Sequence, residues 1–212
     1  MKSAFPLQML EDGSGAVWEA GERTLQSFIV AESEAAQHRL FLEAGDFPHG
    51  AKIADMGSGF GTWALEVAKL RPDLTVVSVN ICRAQLAYCP EPKLEESFEK
   101  TSFKAGELGG ALFAFSFGHG EARSIWRELQ RICAVGASVV IFDMDGPEKH
   151  LWPLAYDIFG PSEGRAEQFG FKLRRRQLFY GVAPKSSKIA SPEVLDLWYA
   201  PMTPGLWVYT KL

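Results

Sequence analysis

Three glycines at alternating positions, Gly57, Gly59 and Gly61, follow an acidic residue, Asp55, within AKIADMGSGFGTWALEVAKL, Ala51 to Leu70. Glycine gives up more backbone entropy on folding than any other residue, so a run this dense needs a reason. A ligand would supply one. Glycine lets the chain turn sharply and approach a bound group, and the helix that follows offers N–H groups with no intrahelical partner. The plain alternative is a tight turn in an α/β core, with Asp55 capping it. Asp143 and Asp145, in VVIFDMDG, Val139 to Gly146, form a second pair with chemical potential. Cys82, Cys89 and Cys133 do not: they are odd in number, have no CxxC spacing and no clustered histidines, which argues against disulfides and structural zinc.

Alternating strand and helix patterns position these residues. Lys52 to Met56 reads as a short strand that delivers Asp55 to the glycine turn, and a helix from about Thr62 to Leu70 follows, stopped by Arg71, Pro72 and Asp73. LTVVSVN, Leu74 to Asn80, is a buried strand, and CRAQLAYC, Cys82 to Cys89, a helix closed by Pro90. Pro90 to Gly110 is weakly periodic, with a short strand near Leu94 to Phe98. Then come a strand at Ala111 to Phe117, a helix at Glu121 to Cys133 and a strand at Ser138 to Asp143. Two late strands, Phe171 to Tyr180 and Leu206 to Lys211, complete the pattern. Ahead of the glycines, Thr24 to Ala44 is an imperfectly amphipathic helix interrupted by Glu32 and ending at Gly45. Such alternation predicts a mostly parallel sheet covered on both faces. The predicted organisation is one domain: a helical cap over residues 1–45, a ligand-binding core over 51–145, and acceptor-side helices and final strands over 146–212.

Read alone, GFGTWA, Gly59 to Ala64, is a G-x-G-x-x-A string that fits a dinucleotide-binding fingerprint, with Asn80 following at the spacing of a ribose-binding residue. The fuller pattern Asp55-x-Gly57-x-Gly59-x-Gly61 resembles the first motif of class I S-adenosylmethionine-dependent methyltransferases. The surrounding VVSVNICRAQLAYC is similar to a VxVN-x-S-xx-QL-xxA form in the branch that methylates small molecules and lipids, with Cys82 and Cys89 where that form has Ser and Ala. The resemblance spans about Trp18 to Asp145. It implies a Rossmann-like three-layer α/β sandwich whose mostly parallel, seven-stranded or reduced sheet ends in an antiparallel strand.

The resemblance also implies roles. S-adenosylmethionine is the expected cofactor, with Gly57, Ser58, Gly59 and Gly61 lining its amino-acid and ribose portion and Asp55 holding the ammonium side through the loop or a water. Asn80 takes the ribose position, where most relatives carry Asp or Glu; its amide can accept from one hydroxyl and donate to the other without a carboxylate's charge-assisted contact. Ile81 follows it at the cofactor edge. Glu99, in SFEKTSF, is the candidate acceptor for the adenine amino group, against a reading as a solvated loop carboxylate. Phe117, Gly118 and His119 stand where the family faces the transferring methyl. His119 is the candidate base for an acceptor that must lose a proton; otherwise it is a loop histidine starting the next helix. Phe60 and Trp63 either flank the cofactor or pack in the core, the latter better suiting Trp63. No Asn or Asp precedes a Pro-Pro-aromatic motif, which counts against methylation of exocyclic amines.

VVIFDMDG is also similar to the nucleophile motif of haloacid-dehalogenase-type phosphatases, but Pro147 replaces the expected Thr and no paired acids follow to bind magnesium. Asp143 is instead read as the end of the fifth strand, and no metal site is predicted. The net charge of −4 excludes a global cationic field for nucleic acid. The one basic run, Lys172 to Arg176, reads as a solvated strand face. No secretion signal or run of 18 apolar residues occurs, so the expectation is a soluble cytoplasmic protein without membrane association. Trp152, Tyr156, Phe159, Phe169, Phe171, Phe179, Tyr180, Trp198 and Tyr199 crowd the region expected to take the acceptor, implying a small organic, aromatic or hydrophobic one. The rivals are a cofactor-binding but non-catalytic scaffold subunit and a nicotinamide-dependent oxidoreductase, the latter resting on GFGTWA alone.

Overall fold

A computed structural model describes residues 30–145, 165–182 and 203–212. Its centre is a seven-stranded sheet of order β3-β2-β1-β4-β5-β7-β6. The strands are β1 (Lys52–Met56), β2 (Thr75–Asn80), β3 (Lys93–Glu95), β4 (Leu108–Ala114), β5 (Cys133–Asp145), β6 (Phe171–Leu178) and β7 (Thr203–Lys211). β1 to β5 pair in parallel, while β7 runs antiparallel to both β5 and β6. The antiparallel final strand therefore lies inside the sheet, and β6 forms the last position in its order.

Side-chain alternation along the strands separates two apolar layers. On one face Ala54, Met56, Val77, Val79, Phe113, Val139 and Ile141 pack with Ile125, Trp126, Leu129 and Ile132 of helix α4 (Ala122–Ile132). On the other, Ile53, Val76, Leu112, Val140 and Phe142 pack with α1 (Glu34–Gly45) through Phe41 and Leu42 and with α2 (Thr62–Leu70) through Trp63, Ala64 and Val67. Central strands are therefore buried on both sides, which explains runs such as SVVIF that show no polar alternation. A four-residue helix, α3 (Arg83–Leu86), follows β2. Among the described residues no helix is long and apolar enough to cross a membrane.

β1 and α2 fall where the sequence places them; other elements differ, each for a local reason. α1 begins only at Glu34, where Ser33 accepts from Ala36 N–H as N-cap; the part of the predicted helix before Val30 lies outside the described residues. β4 starts earlier than expected because Gly109 and Gly110 leave room for Ala51 and Phe47, and it ends at Ala114 because Phe115 turns to a left-handed φ of 57°. Phe115 to Phe117, expected in the strand, therefore lie beyond it. β5 is longer than predicted at both ends: Gly136 continues it at a φ of 82°, and it runs past Asp143 to Asp145.

Polar groups fix the helix next to the site. Glu128, buried on α4, accepts from Thr101 N–H (2.7 Å) and Thr101 Oγ1 (2.6 Å) and pairs with Arg131, whose Nη2 also donates to Thr101 O (2.8 Å). The hard-to-read segment before β4 is thus tied to α4 by one carboxylate rather than by apolar periodicity. At the helix's other end, Lys211 Nζ donates to Gln130 O and Cys133 O, both at 2.6 Å, placing a cation on the last carbonyls.

Candidate functional site

Strand order reverses between β1 and β4: β2 and β3 lie to one side of β1, and β4 and β5 to the other. In open parallel sheets the crevice beyond the carboxyl ends of the strands at such a reversal is where ligands bind. The glycine turn leaves β1 at that point, with Gly57, Gly59 and Gly61 at φ of 80°, 53° and 73°, the left-handed region that L side chains rarely adopt. Space matters as well. A Cβ on Gly57 would sit 2.5 Å from Ser116 Cβ, and one on Gly61 would sit 2.9 Å from Cys89 Cα.

The turn's own N–H groups are not all directed outward. Gly57 and Ser58 N–H donate to Val79 O (2.8 and 3.1 Å), and Gly61 N–H donates to Ser58 O (2.9 Å). What the turn presents is the start of α2, whose N-cap, Gly61, has no side chain to accept from the first helical N–H groups. Beneath lies Asp55, 3% exposed. Burial alone pushes its carboxyl up to about 7, which marks a carboxyl that lacks a charged partner to hold it ionised.

Asn80, at the end of β2, is buried and engaged three ways. Its Nδ2 donates to Gly59 O (3.3 Å) and to Gln85 Oε1 (2.9 Å), and its Oδ1 accepts from Cys82 N–H (3.0 Å). Asn80 therefore clasps the glycine turn and the start of α3 together. Cys89 supports the same turn from below, with Sγ 3.4 Å from Gly59 O and 3.5 Å from Ser58 Oγ; burial raises its thiol pKa, so it is a packing group rather than a nucleophile. Ile81 is 39% exposed at the crevice edge. Phe60 is buried against Tyr88, ring centroids 5.9 Å apart, and Trp63 is a core residue packed on Phe47.

The opposite wall is the turn after β4, a short 3-10 segment from Phe117 to His119. Ser116 Oγ donates to Met56 O, joining this turn to β1 beside Gly57. The Phe117 ring points into the core, 5.2 Å from Phe113 and 5.6 Å from Trp126, so only its backbone is placed to border a ligand. Gly118 N–H donates to Asp143 Oδ2 at 3.1 Å. His119 is solvent-accessible, yet desolvation by the surrounding protein lowers its pKa. A neutral imidazole carries one N–H donor and one acceptor nitrogen.

Other acidic residues singled out in the sequence are held by partners within the fold. Glu99 Oε1 accepts from Glu121 N–H at the start of α4, and a Cβ on Gly120 would meet the same carboxylate. Asp143 and Asp145 also diverge, the first toward the Phe117–His119 turn and the second to Arg176 Nη2 at 3.0 Å. Among the described residues no group of His, Cys, Asp and Glu could hold a metal ion. Sequence reasoning missed Ser116, Gln85 and the amide-binding role of Asp143; only Gln85 carried a signal, as part of the NICRAQL string. Of the aromatic residues expected around an acceptor, Phe171 is core, packed on Trp126, Phe179 packs on Phe142 and Tyr180 is exposed, while Trp152, Tyr156, Phe159, Trp198 and Tyr199 lie outside the described residues.

No family model matches the sequence, and no curated protein matches it. Solved structures resemble the fold closely. The [4+2]-cyclase SpnF aligns with a TM-score of 0.77 at 14% identity, covering 99% of this chain and 98% of that one. A Galdieria sulphuraria protein assigned as a sarcosine dimethylglycine methyltransferase aligns at 0.76 and 14% identity, covering 94% and 98%. Geranyl diphosphate C-methyltransferase from Streptomyces coelicolor A3(2), solved with Mg2+, geranyl diphosphate and S-adenosyl-L-homocysteine, aligns at 0.70 and 13%, covering 84% and 81%.

Proposed function

We propose, for a chain with the fold of class I S-adenosylmethionine-dependent methyltransferases, that it binds S-adenosylmethionine and transfers its methyl group to a small organic acceptor. The observation that carries the proposal is the left-handed Gly57–Gly61 turn at the β1/β4 reversal with the buried carboxyl of Asp55 beneath it. A ligand with a cationic amino-acid end suits both parts. It would supply the charge that Asp55 lacks, and its carboxylate would face the uncapped N-terminus of α2. Ile81 would border the nucleoside, and Ser58 and the Phe117–Gly118 backbone the methionine portion.

The bound sulfonium supplies an activated methyl that already carries its leaving group, so the protein's share is alignment and exclusion of water. Gly57 and Ser116 hold the two walls in contact; His119 would accept a proton from a hydroxyl or carbon-acid acceptor. His119→Ala is expected to reduce turnover by about 10²- to 10⁴-fold with such an acceptor, measured as label transfer from methyl-labelled cofactor across pH. Unchanged turnover at every pH would remove His119 from the reaction.

The raised Asp55 carboxyl gives the cofactor site a pH dependence with a defined sign. The folded carboxyl is held near 7, above its ordinary value, so below pH 7 it is mostly neutral and binding a cationic ligand must displace a proton. Affinity for S-adenosylhomocysteine should rise between pH 6 and 8, by at most about tenfold per unit below the pKa, and Asp55→Asn should flatten that rise. Calorimetry in buffers of different ionisation enthalpy would detect the released proton; a flat profile in the native protein would remove Asp55 from the ammonium.

The same calorimetry tests the whole proposal. Binding of S-adenosylmethionine and S-adenosylhomocysteine supports it, and binding of NAD(P)H alone would replace it with an oxidoreductase. One observation favours a second reading, a ligand-binding but non-methylating homologue: both Asn80 amide hydrogens are already directed to Gly59 O and Gln85 Oε1, so a ribose would have to share or displace them. Cofactor binding without label transfer to any component of a cell extract would select that reading.

A further inference from the structure

Asp143 takes no part in the steps above, yet it is the side chain most deeply committed to the turn that carries His119. It is 5% exposed, on the same sheet face as the apolar Val139 and Ile141. A carboxyl in such a place is retained only at a large desolvation cost. Its oxygens face backbone N–H groups: Oδ2 accepts from Gly118 N–H at 3.1 Å and Oδ1 from Met144 N–H at 2.9 Å.

The held turn has an unusual conformation. Phe115, a bulky residue, sits at a φ of 57° where side chains of its size are rare, so its neighbours must determine it. They do so from two strands. Phe115 N–H donates to Phe142 O on β5 at 2.7 Å, its ring meets Phe142 edge-on at 5.0 Å, and Ser116 reaches back to Met56 O on β1. His119 closes the turn through its backbone N–H, which donates to Ser116 O at 3.1 Å. Without Asp143 the Gly118 amide would be left in the wall between β4 and α4 with nothing from β5 to fix it.

We propose that Asp143 is a positioning residue: its carboxylate anchors the Phe117–His119 backbone to β5 and so sets where the His119 imidazole stands relative to the glycine turn. The proposal rests on the methyl-transfer reading for its kinetic consequence but not for its structural one. Asp143→Asn retains the shape but must turn an NH2 group toward an amide N–H, breaking at least one of the bonds.

The test has two arms. In ¹⁵N-correlated spectra of the full chain, Asp143→Asn should move the Gly118 amide proton upfield and displace the His119 ring resonances, while amides of β2 and β3 stay in place. In the label-transfer assay Asp143→Asn should lower turnover by at least about 30-fold, but by less than about threefold in a His119→Ala background, because the two act through one geometry. S-adenosylhomocysteine affinity should fall by much less than turnover does, since most of that ligand's proposed contacts lie on the glycine-turn wall and only the Phe117–Gly118 backbone borders it from this one. Unmoved Gly118 and His119 signals, or equal losses in both backgrounds, would overturn the proposal. A native protein that binds no S-adenosylhomocysteine would sink the methyl-transfer reading while leaving the spectroscopic arm decisive. Should Asp143→Asn fail to fold, Asp143→Ser, which keeps an acceptor oxygen without the charge, carries the same comparison.

Discussion

Gly57→Ala is expected to abolish measurable S-adenosylhomocysteine binding, a loss of at least about 100-fold by calorimetry, while the protein stays folded. The new methyl group would lie 2.5 Å from Ser116 Cβ, closer than real Cβ contacts come, and a tight 3.0 Å from Ser116 Oγ. Ser116 cannot simply rotate away, because its hydroxyl holds Met56 O and its neighbour Phe115 is locked in the left-handed region. The backbone adds its own penalty: a residue with a side chain at φ of 80° costs roughly 1–3 kcal/mol. Relief requires the glycine turn and the Phe117–His119 turn to separate, which opens the crevice between them. A Gly57→Ala protein that binds within threefold of the native one would show that these walls do not form the ligand site.

The largest stability effect should come from Trp126→Ala. Trp126 is fully buried at the meeting of α4, the Phe117 turn and the two antiparallel-paired strands, with ring centroids 5.6 Å from Phe117, 5.2 Å from Phe171 and 5.0 Å from Tyr209. Truncating a buried aromatic to Ala costs about 3–5 kcal/mol through lost transfer energy and the cavity left behind. In a domain of this size that corresponds to a fall in Tm of roughly 6–20 °C. Trp126→Phe should be far milder, near 1 kcal/mol, because Trp126 Nε1 donates to nothing among the described residues and its loss forfeits no bond. Thermal unfolding followed by circular dichroism separates the pair; a fall below about 3 °C for the Ala variant would contradict this account of the core.

These two predictions differ in how far the sequence alone could have led to them. The glycine turn was legible because its signal is local: Asp55, three glycines and the Arg71-Pro72-Asp73 stop bracket β1 and α2 within a few residues. Trp126 was legible through the 3.6-residue spacing of Ile125, Trp126, Leu129 and Ile132. Elements whose limits depend on distant partners were not. The end of β4 is set by Phe115, whose φ is imposed by Phe142 and Ser116, and β5 passes through Gly136 without stopping because a left-handed glycine there bends the strand without ending it. Within the site, Asp55 and the glycines could be named from spacing alone. The engagement of Asn80 with Gly59 and Gln85, the turn of Glu99 toward α4 and the anchoring by Asp143 could not, since each depends on where a long-range acceptor or donor falls.

The placement of β7 between β5 and β6 has a consequence for how the molecule is assembled during synthesis. Strands β1 to β5 can each meet a neighbour as the ribosome releases them, but β6 emerges with nothing to bond until β7 follows. In that interval the flank of β5, with Val139 to Phe142 wholly apolar, is an unpaired edge of the kind that recruits other chains. A nascent chain halted before residue 203 should therefore be a strong client for chaperones that shield strand edges, however sound its first five strands are.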